Sequence, residues 1–155
     1  MKNKLLILNG PGLADLSIYD EFYGEITLSA IEDKCKNVCK GLNIELDFRQ
    51  TEDEDELLGF LIKDSEDFNA VIINPVGYSH ALTAEFAKHC LAIKTLTLKK
   101  KPVIEVHIAN IFKQGVDITK PLQVPEGQMG FVSGLGIYSY VIAINAISKK
   151  LNKVA

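Results

Sequence analysis

A three-layer α/β domain, with helices covering both faces of a parallel sheet, is the fold class this 155-residue sequence predicts. Three observations predict it. Short, wholly apolar runs alternate with segments of helical periodicity from end to end. The runs are bounded by Gly, Pro and Asn, so most connections are short. The length suits one well-buried core, so residues 1–155 read as a single domain.

The elements follow in order. Leu5 to Leu8 is apolar without alternation, as a strand buried on both faces must be, and Asn9-Gly10-Pro11-Gly12 stops it. Thr27 is a suitable N-cap for a helix carrying Ile31, Cys35 and Val38 inward and closing near Gly41. Ile44 to Phe48 forms the second strand, and Thr51-Glu52-Asp53-Glu54 resembles a capping box. The helix it opens sets Leu57, Leu58, Leu61 and Ile62 on one face. Ala70 to Ile73 is the third strand, ended by Asn74-Pro75, and a helix follows over roughly Leu82 to Leu96. Pro102 to Val106 and Gly130 to Val132 supply the last two strands. From Gly136 a final helix spaces Ile137, Val141, Ile144 and Ile147 along one side. The stretch from Asn110 to Gln128, with two prolines and two glycines, is long for a connection and marks a functional loop or an interface.

Composition narrows the function. A net charge of −3, a single arginine at Arg49 and one short lysine run, Lys99-Lys100-Lys101, provide no basic stripe for nucleic acid. The first apolar run is too short for a membrane span and lacks a signal-cleavage pattern, so a cytoplasmic protein with no membrane partner is expected. Three cysteines, an odd number, do not form a disulfide framework; Cys35 and Cys39 lie one helical turn apart, a spacing that suits core packing better than metal.

In doubly wound sheets ligands bind beyond the carboxyl ends of the strands, near the point where strand order reverses. Here those ends carry Asn9-Gly10-Pro11, Gln50-Thr51, Asn74-Pro75, His107-Ile108-Ala109-Asn110 and Ser133-Gly134, with His80 six residues after Asn74. Taken singly, each also fits an ordinary role: Tyr23 as a packed loop aromatic, Asn74 as a strand terminator, His107 as a hydrogen-bonded structural histidine. His89, mid-helix, reads as structural.

Together the segments Leu-Asn-Gly-Pro (8–11), Tyr23-Gly24, Phe48-Arg49-Gln50, Ile-Asn-Pro (73–75), Tyr78-Ser79-His80, Glu105-Val106-His107 and Gly134-Leu135-Gly136 resemble, in order, the signature blocks of the type II 3-dehydroquinate dehydratase family. The resemblance runs from about Leu5 to Lys150. It implies a flavodoxin-like sheet of order 2-1-3-4-5 and a homo-oligomer built from trimers, up to a dodecamer. It also implies dehydration of 3-dehydroquinate to 3-dehydroshikimate through an enolate, without metal or organic cofactor. Tyr23 then matches the base that removes the proton α to the ketone, Asn74 the enolate-side amide, His107 the general acid and Glu105 its orienting partner. His80, Pro11 and the main-chain N–H groups of Ile108 and Ala109 match positions that hold the substrate, a small carboxylate. The chemistry needs these types: a tyrosine titrating near 10 serves as a base only where a cation favours its anion, and histidine suits an acid near neutrality.

The sequence departs from the pattern where the family places cations. Ile18 stands at the lid arginine's place, five residues before Tyr23, and Gly12 ends the Asn-Gly-Pro block in place of asparagine. Phe86 and Ala87 replace an Arg-Asp pair, while Ala109, Gln114 and Ile118 replace a serine and two arginines. Lys113 is a local cation without the arginine fork. These losses keep two alternatives beside the dehydratase: a lyase or isomerase for a less hydroxylated carboxylate, and an inactive homologue serving in binding or assembly.

Overall fold

The strand Leu5 to Leu8 begins the sheet because all four of its side chains are fully buried, Leu5 and Ile7 in one apolar cluster and Leu6 and Leu8 in another. A computed structural model of the chain describes residues 1–76, 84–114 and 130–153, with the side chains of 84–87 and 114 left aside. The strands and helices are β1 (Asn3–Asn9), β2 (Ser17–Asp20), β3 (Gly24–Thr27), α1 (Leu28–Gly41), β4 (Ile44–Gln50), α2 (Glu54–Ile62), β5 (Ala70–Asn74), α3 (Ala84–Leu98), β6 (Val103–His107), β7 (Gly130–Ser133) and α4 (Tyr138–Asn152).

The main sheet has five strands in the order β4-β1-β5-β6-β7, all parallel. Counting only these strands, the order is 2-1-3-4-5, the flavodoxin-like order the resemblance implies. The pleat sends Leu5, Ile7, Ala70, Ile72, Ile104 and Val106 toward α1 and α4, where Ile31, Cys35, Cys39, Tyr140, Ile144 and Ile147 meet them. It sends Leu6, Leu8, Val71, Ile73 and Val103 toward Leu57 and Leu61 of α2 and Ile93 and Leu96 of α3. Each fully buried Leu or Ile contributes about 1.5–3 kcal/mol, which is why Leu5 to Leu8 and Ala70 to Ile73 are apolar throughout.

Several local features differ from the sequence reading. The N-cap of α2 is Asp53, whose Oδ1 accepts from Asp55 N at 2.8 Å and Glu56 N at 3.1 Å, while Thr51 Oγ1 accepts from Asp53 N at 3.0 Å. The cap therefore begins two residues later than Thr51, because the shorter acid reaches the first amides without a capping box. Ile62 is 53% exposed rather than facing the core. β2 and β3 form an antiparallel pair, Ser17↔Thr27 to Asp20↔Gly24, that the sequence reading treated as loop. Arg49 is occupied structurally. It pairs with Asp47 at 2.7 Å and with Asp64, and its guanidinium lies 4.9 Å from the Phe60 ring centroid. Within the lysine run, Lys99 pairs with Glu66, and Lys101 Nζ donates to the Ser65 and Glu66 carbonyls at 2.5 and 2.7 Å.

The loop after β1 is gripped by one carboxylate. Glu52 accepts from Gly12 N at 2.8 Å, from Ala14 N at 3.3 Å and from Gln50 Nε2 at 2.6 Å. These donors, the Gly12 N–H first, hold the Glu52 carboxyl below its usual range. A depressed folded-state value means the bracket is intact at neutral pH and is lost as pH falls through that value. Amide exchange at Gly12 and Ala14 is therefore expected to be several-fold faster in Glu52→Ala than in the parent at pH 7, a difference that vanishes in acid.

Candidate active site

Because the strands are parallel, their carboxyl ends open on one edge of the sheet, and a cavity of about 170 Å3 lies there. That is below the roughly 300–1,000 Å3 of drug-sized ligand sites, so it suits a single small molecule. Asn74 and Val76 line it from β5, and His107, Ile108 and Ala109 line it from β6. Gly12, Leu13 and Leu16 come from the loop held by Glu52, and Ile18 comes from β2.

On β6 the alternation places Glu105 and His107 on the same side, both almost fully buried. His107 Nε2 lies 3.0 Å from Glu105 Oε2, and the Phe131 ring packs 5.4 Å from the imidazole. This contact fixes the orientation of the ring. Glu105 lies behind His107, outside the cavity lining.

The segment after His107 is held from β7 and the turn beyond it. Gly134 N donates to the His107 carbonyl at 3.2 Å, Gly136 N to the Ile108 carbonyl at 3.0 Å, and Ser133 Oγ to the Ala109 carbonyl at 3.0 Å. Gly134 has φ +89 and would bring a Cβ within 3.0 Å of Asn110 Cβ, so only glycine allows this approach.

Asn74 belongs to a buried chain of hydrogen bonds crossing three neighbouring strands. Val76 N donates to Asn74 Oδ1 at 3.1 Å, and Asn74 Nδ2 donates to Tyr140 Oη at 2.9 Å. Tyr140 Oη donates to Asn9 Oδ1 at 2.7 Å, and Asn9 Nδ2 donates to the Arg49 carbonyl at 3.0 Å. Both ends fix the sense: a backbone N–H only donates and a carbonyl only accepts, so neither amide can be turned over. Val76 adopts φ +67, costly for a β-branched residue, and its N–H is held by Asn74 in that conformation.

Tyr23 lies elsewhere. It follows the turn capped by Asp20, whose Oδ1 accepts from Phe22 N and Tyr23 N at 2.8 and 3.0 Å. Its ring lies 5.2 Å from that of Tyr138 and over Gly136, where a Cβ would sit 2.7 Å from the Tyr23 ring. It is 38% exposed and not among the cavity-lining residues, and neither is Pro11. The geometry thus brings Asn74, His107, Ile108 and Ala109 together, with Glu105 behind them, and leaves Tyr23 and Pro11 out of the cavity lining. His80 and the rest of Tyr78-Ser79-His80 lie outside the described residues. Lys113 is exposed and does not line the cavity.

Sequence reasoning missed Asn9, Tyr140, Val76 and the inward position of Ile18. Tyr140 carried a signal: it stands one turn before Ile144 on the apolar face of α4, and a buried tyrosine hydroxyl needs a partner. Asn9 sits inside the Leu-Asn-Gly-Pro block but drew no separate attention.

The sequence model described as Dehydroquinase class II matches residues 3–148. The chain is 34% identical over 150 residues to a 3-dehydroquinate dehydratase from Clostridium botulinum, covering 96% of this chain and 97% of that one. It is 35% identical over 148 residues to 3-dehydroquinate dehydratase 1 from Agrobacterium fabrum, covering 95% and 97%. Among solved structures, the type II dehydroquinase from Propionibacterium acnes superposes with a TM-score of 0.76 at 28% identity, covering 96% and 98%. With blocks, strand order and near-complete coverage in agreement, the chain belongs to the class II dehydroquinase family.

Proposed function

We propose that this chain is a 3-dehydroquinate dehydratase, a carbon–oxygen lyase that converts 3-dehydroquinate to 3-dehydroshikimate and water through an enolate. The observation that carries the reading is the buried His107–Glu105 pair, 3.0 Å apart, at a small cavity that also presents Asn74, in a chain of this family. Tyr23 takes the proton α to the ketone, and the enolate oxygen gathers charge beside Asn74. His107, held by Glu105, gives a proton to the departing hydroxyl, which leaves as water as the conjugated enone forms. Main-chain N–H groups of Ile108 and Ala109 hold the substrate carboxylate, with His80 and Pro11 as further contacts. No step calls for a metal or an organic cofactor.

The remaining assignments are a cytoplasmic enzyme and a trimer-based homo-oligomer. In favour of assembly, Leu91 and Leu98 of α3 and Ile62 of α2 are 68%, 77% and 53% exposed, more apolar surface than a lone copy gains from showing. Light scattering measures the number of copies.

The test of the activity is direct. Purified protein mixed with 3-dehydroquinate is expected to generate the ultraviolet absorbance of the enone, with turnover that saturates in substrate. No absorbance at high protein concentration overturns the reading.

A further inference from the structure

We infer that Tyr140 is a positioning residue for the reaction, acting through the Asn74 side chain from α4. The inference rests on the reading that Asn74 meets the substrate's developing oxyanion in the cavity. Tyr140 is fully buried in α4 and lines no part of the cavity. Its hydroxyl is the only group in the chain of bonds described above that both accepts and donates through one atom. It accepts from Asn74 Nδ2 at 2.9 Å and donates to Asn9 Oδ1 at 2.7 Å.

That arrangement sets the Asn74 amide in two ways. Val76 N–H holds the oxygen at 3.1 Å, and Tyr140 holds one of the two hydrogens on the nitrogen. The amide plane is then fixed at both ends, and the second Nδ2 hydrogen is the one directed to a molecule bound in the cavity. Because every bond runs in the same sense, from Val76 N–H to the Arg49 carbonyl, the dipoles add along the chain and each donor is sharpened by the next acceptor. Burial holds the Tyr140 hydroxyl above its ordinary range, so it remains protonated and donating at neutral pH. Donors fixed before charge develops are the ones that lower a barrier, since they need no reorganisation during the reaction.

Tyr140→Phe removes one oxygen and keeps the ring, so the helix face stays filled. It leaves Asn74 held at the oxygen only and Asn9 Oδ1 without its donor. The expected result is a fall in kcat of about 10–100-fold with KM changed by less than about threefold, because the ground state of the substrate does not depend on the amide plane as the enolate does. Asn9→Leu approaches from the other end of the chain of bonds. It is expected to lower kcat in the same range, and the double variant is expected to be little worse than either single one. Ile144→Ala, on the same buried face of α4 but outside the bonds, controls for loosening of the helix: it lowers Tm and leaves kcat within about twofold.

The outcomes separate. If the parent protein turns over 3-dehydroquinate and Tyr140→Phe keeps its full kcat, or loses no more than Ile144→Ala does, the positioning role is overturned while the activity stands. If Tyr140→Phe and Asn9→Leu multiply their losses, the coupling is overturned. If the parent shows no turnover, the activity reading fails, and the positioning role fails with it.

Discussion

His107→Ala is expected to lower kcat about 10²–10⁴-fold, the range a positioned general acid supplies, in a protein that still folds. The magnitude follows from what the side chain alone can do. The departing hydroxyl needs a proton at the moment the carbon–oxygen bond breaks, and His107 is the only described cavity-lining residue whose side chain can carry one near neutrality. Water does not substitute well, because the cavity is small and walled by Leu13, Leu16, Ile18 and Val76. Removing the imidazole also leaves the Glu105 carboxylate, 1% exposed, without the partner at 3.0 Å. Leaving such a group unpaired costs about 1–3 kcal/mol or more, so a lower Tm accompanies the lost rate. Circular dichroism separates the two effects: a retained spectrum with a lost rate assigns the loss to chemistry.

Tyr23→Phe is the second large effect, with kcat expected to fall about 10²–10⁴-fold and Tm to shift by no more than about 2 °C. The substitution removes only the phenolic oxygen. The ring contacts with Tyr138 at 5.2 Å and with the glycine at 136 are kept, so stability has no reason to change. The rate has a strong one, since the phenyl ring cannot take the α proton. Tyr23 is not among the cavity-lining residues, so this variant tests its assignment as the base more sharply than the static geometry does. A parent-like rate in both Tyr23→Phe and His107→Ala shows that the chemistry lies elsewhere.

Much of the fold was legible because burial on both faces leaves a signal no loop can imitate. Leu5 to Leu8 and Ala70 to Ile73 are unbroken apolar runs, and each became a central strand with every side chain buried. The hairpin was illegible for the opposite reason. β2 carries Ile18 at 44% and Tyr19 at 80% exposure, so it lacks the core-buried residues by which a strand announces itself. In the site, the strand-end rule found Asn74 and His107 because those positions are set by the sheet itself. It did not find Tyr140, which reaches the same edge from a helix far along the chain, a partnership that only the packing of α4 on β1 and β5 creates. The departures also gained a meaning: Ile18 faces the cavity, so the place of the family's lid arginine is an apolar wall in this chain.

The packing of α1 against α4 also sets the reactivity of two of the three cysteines. Cys35 and Cys39 are 0% and 1% exposed, and burial, with Cys39 and Glu32 adding for the first, pushes their thiols up to about 12 and about 11. Nucleophilic sulfur is the thiolate, so at neutral pH both are inert, and peroxide or disulfide exchange finds nothing to attack there until the helices part. Two sulfurs one turn apart thus serve only as small apolar filling.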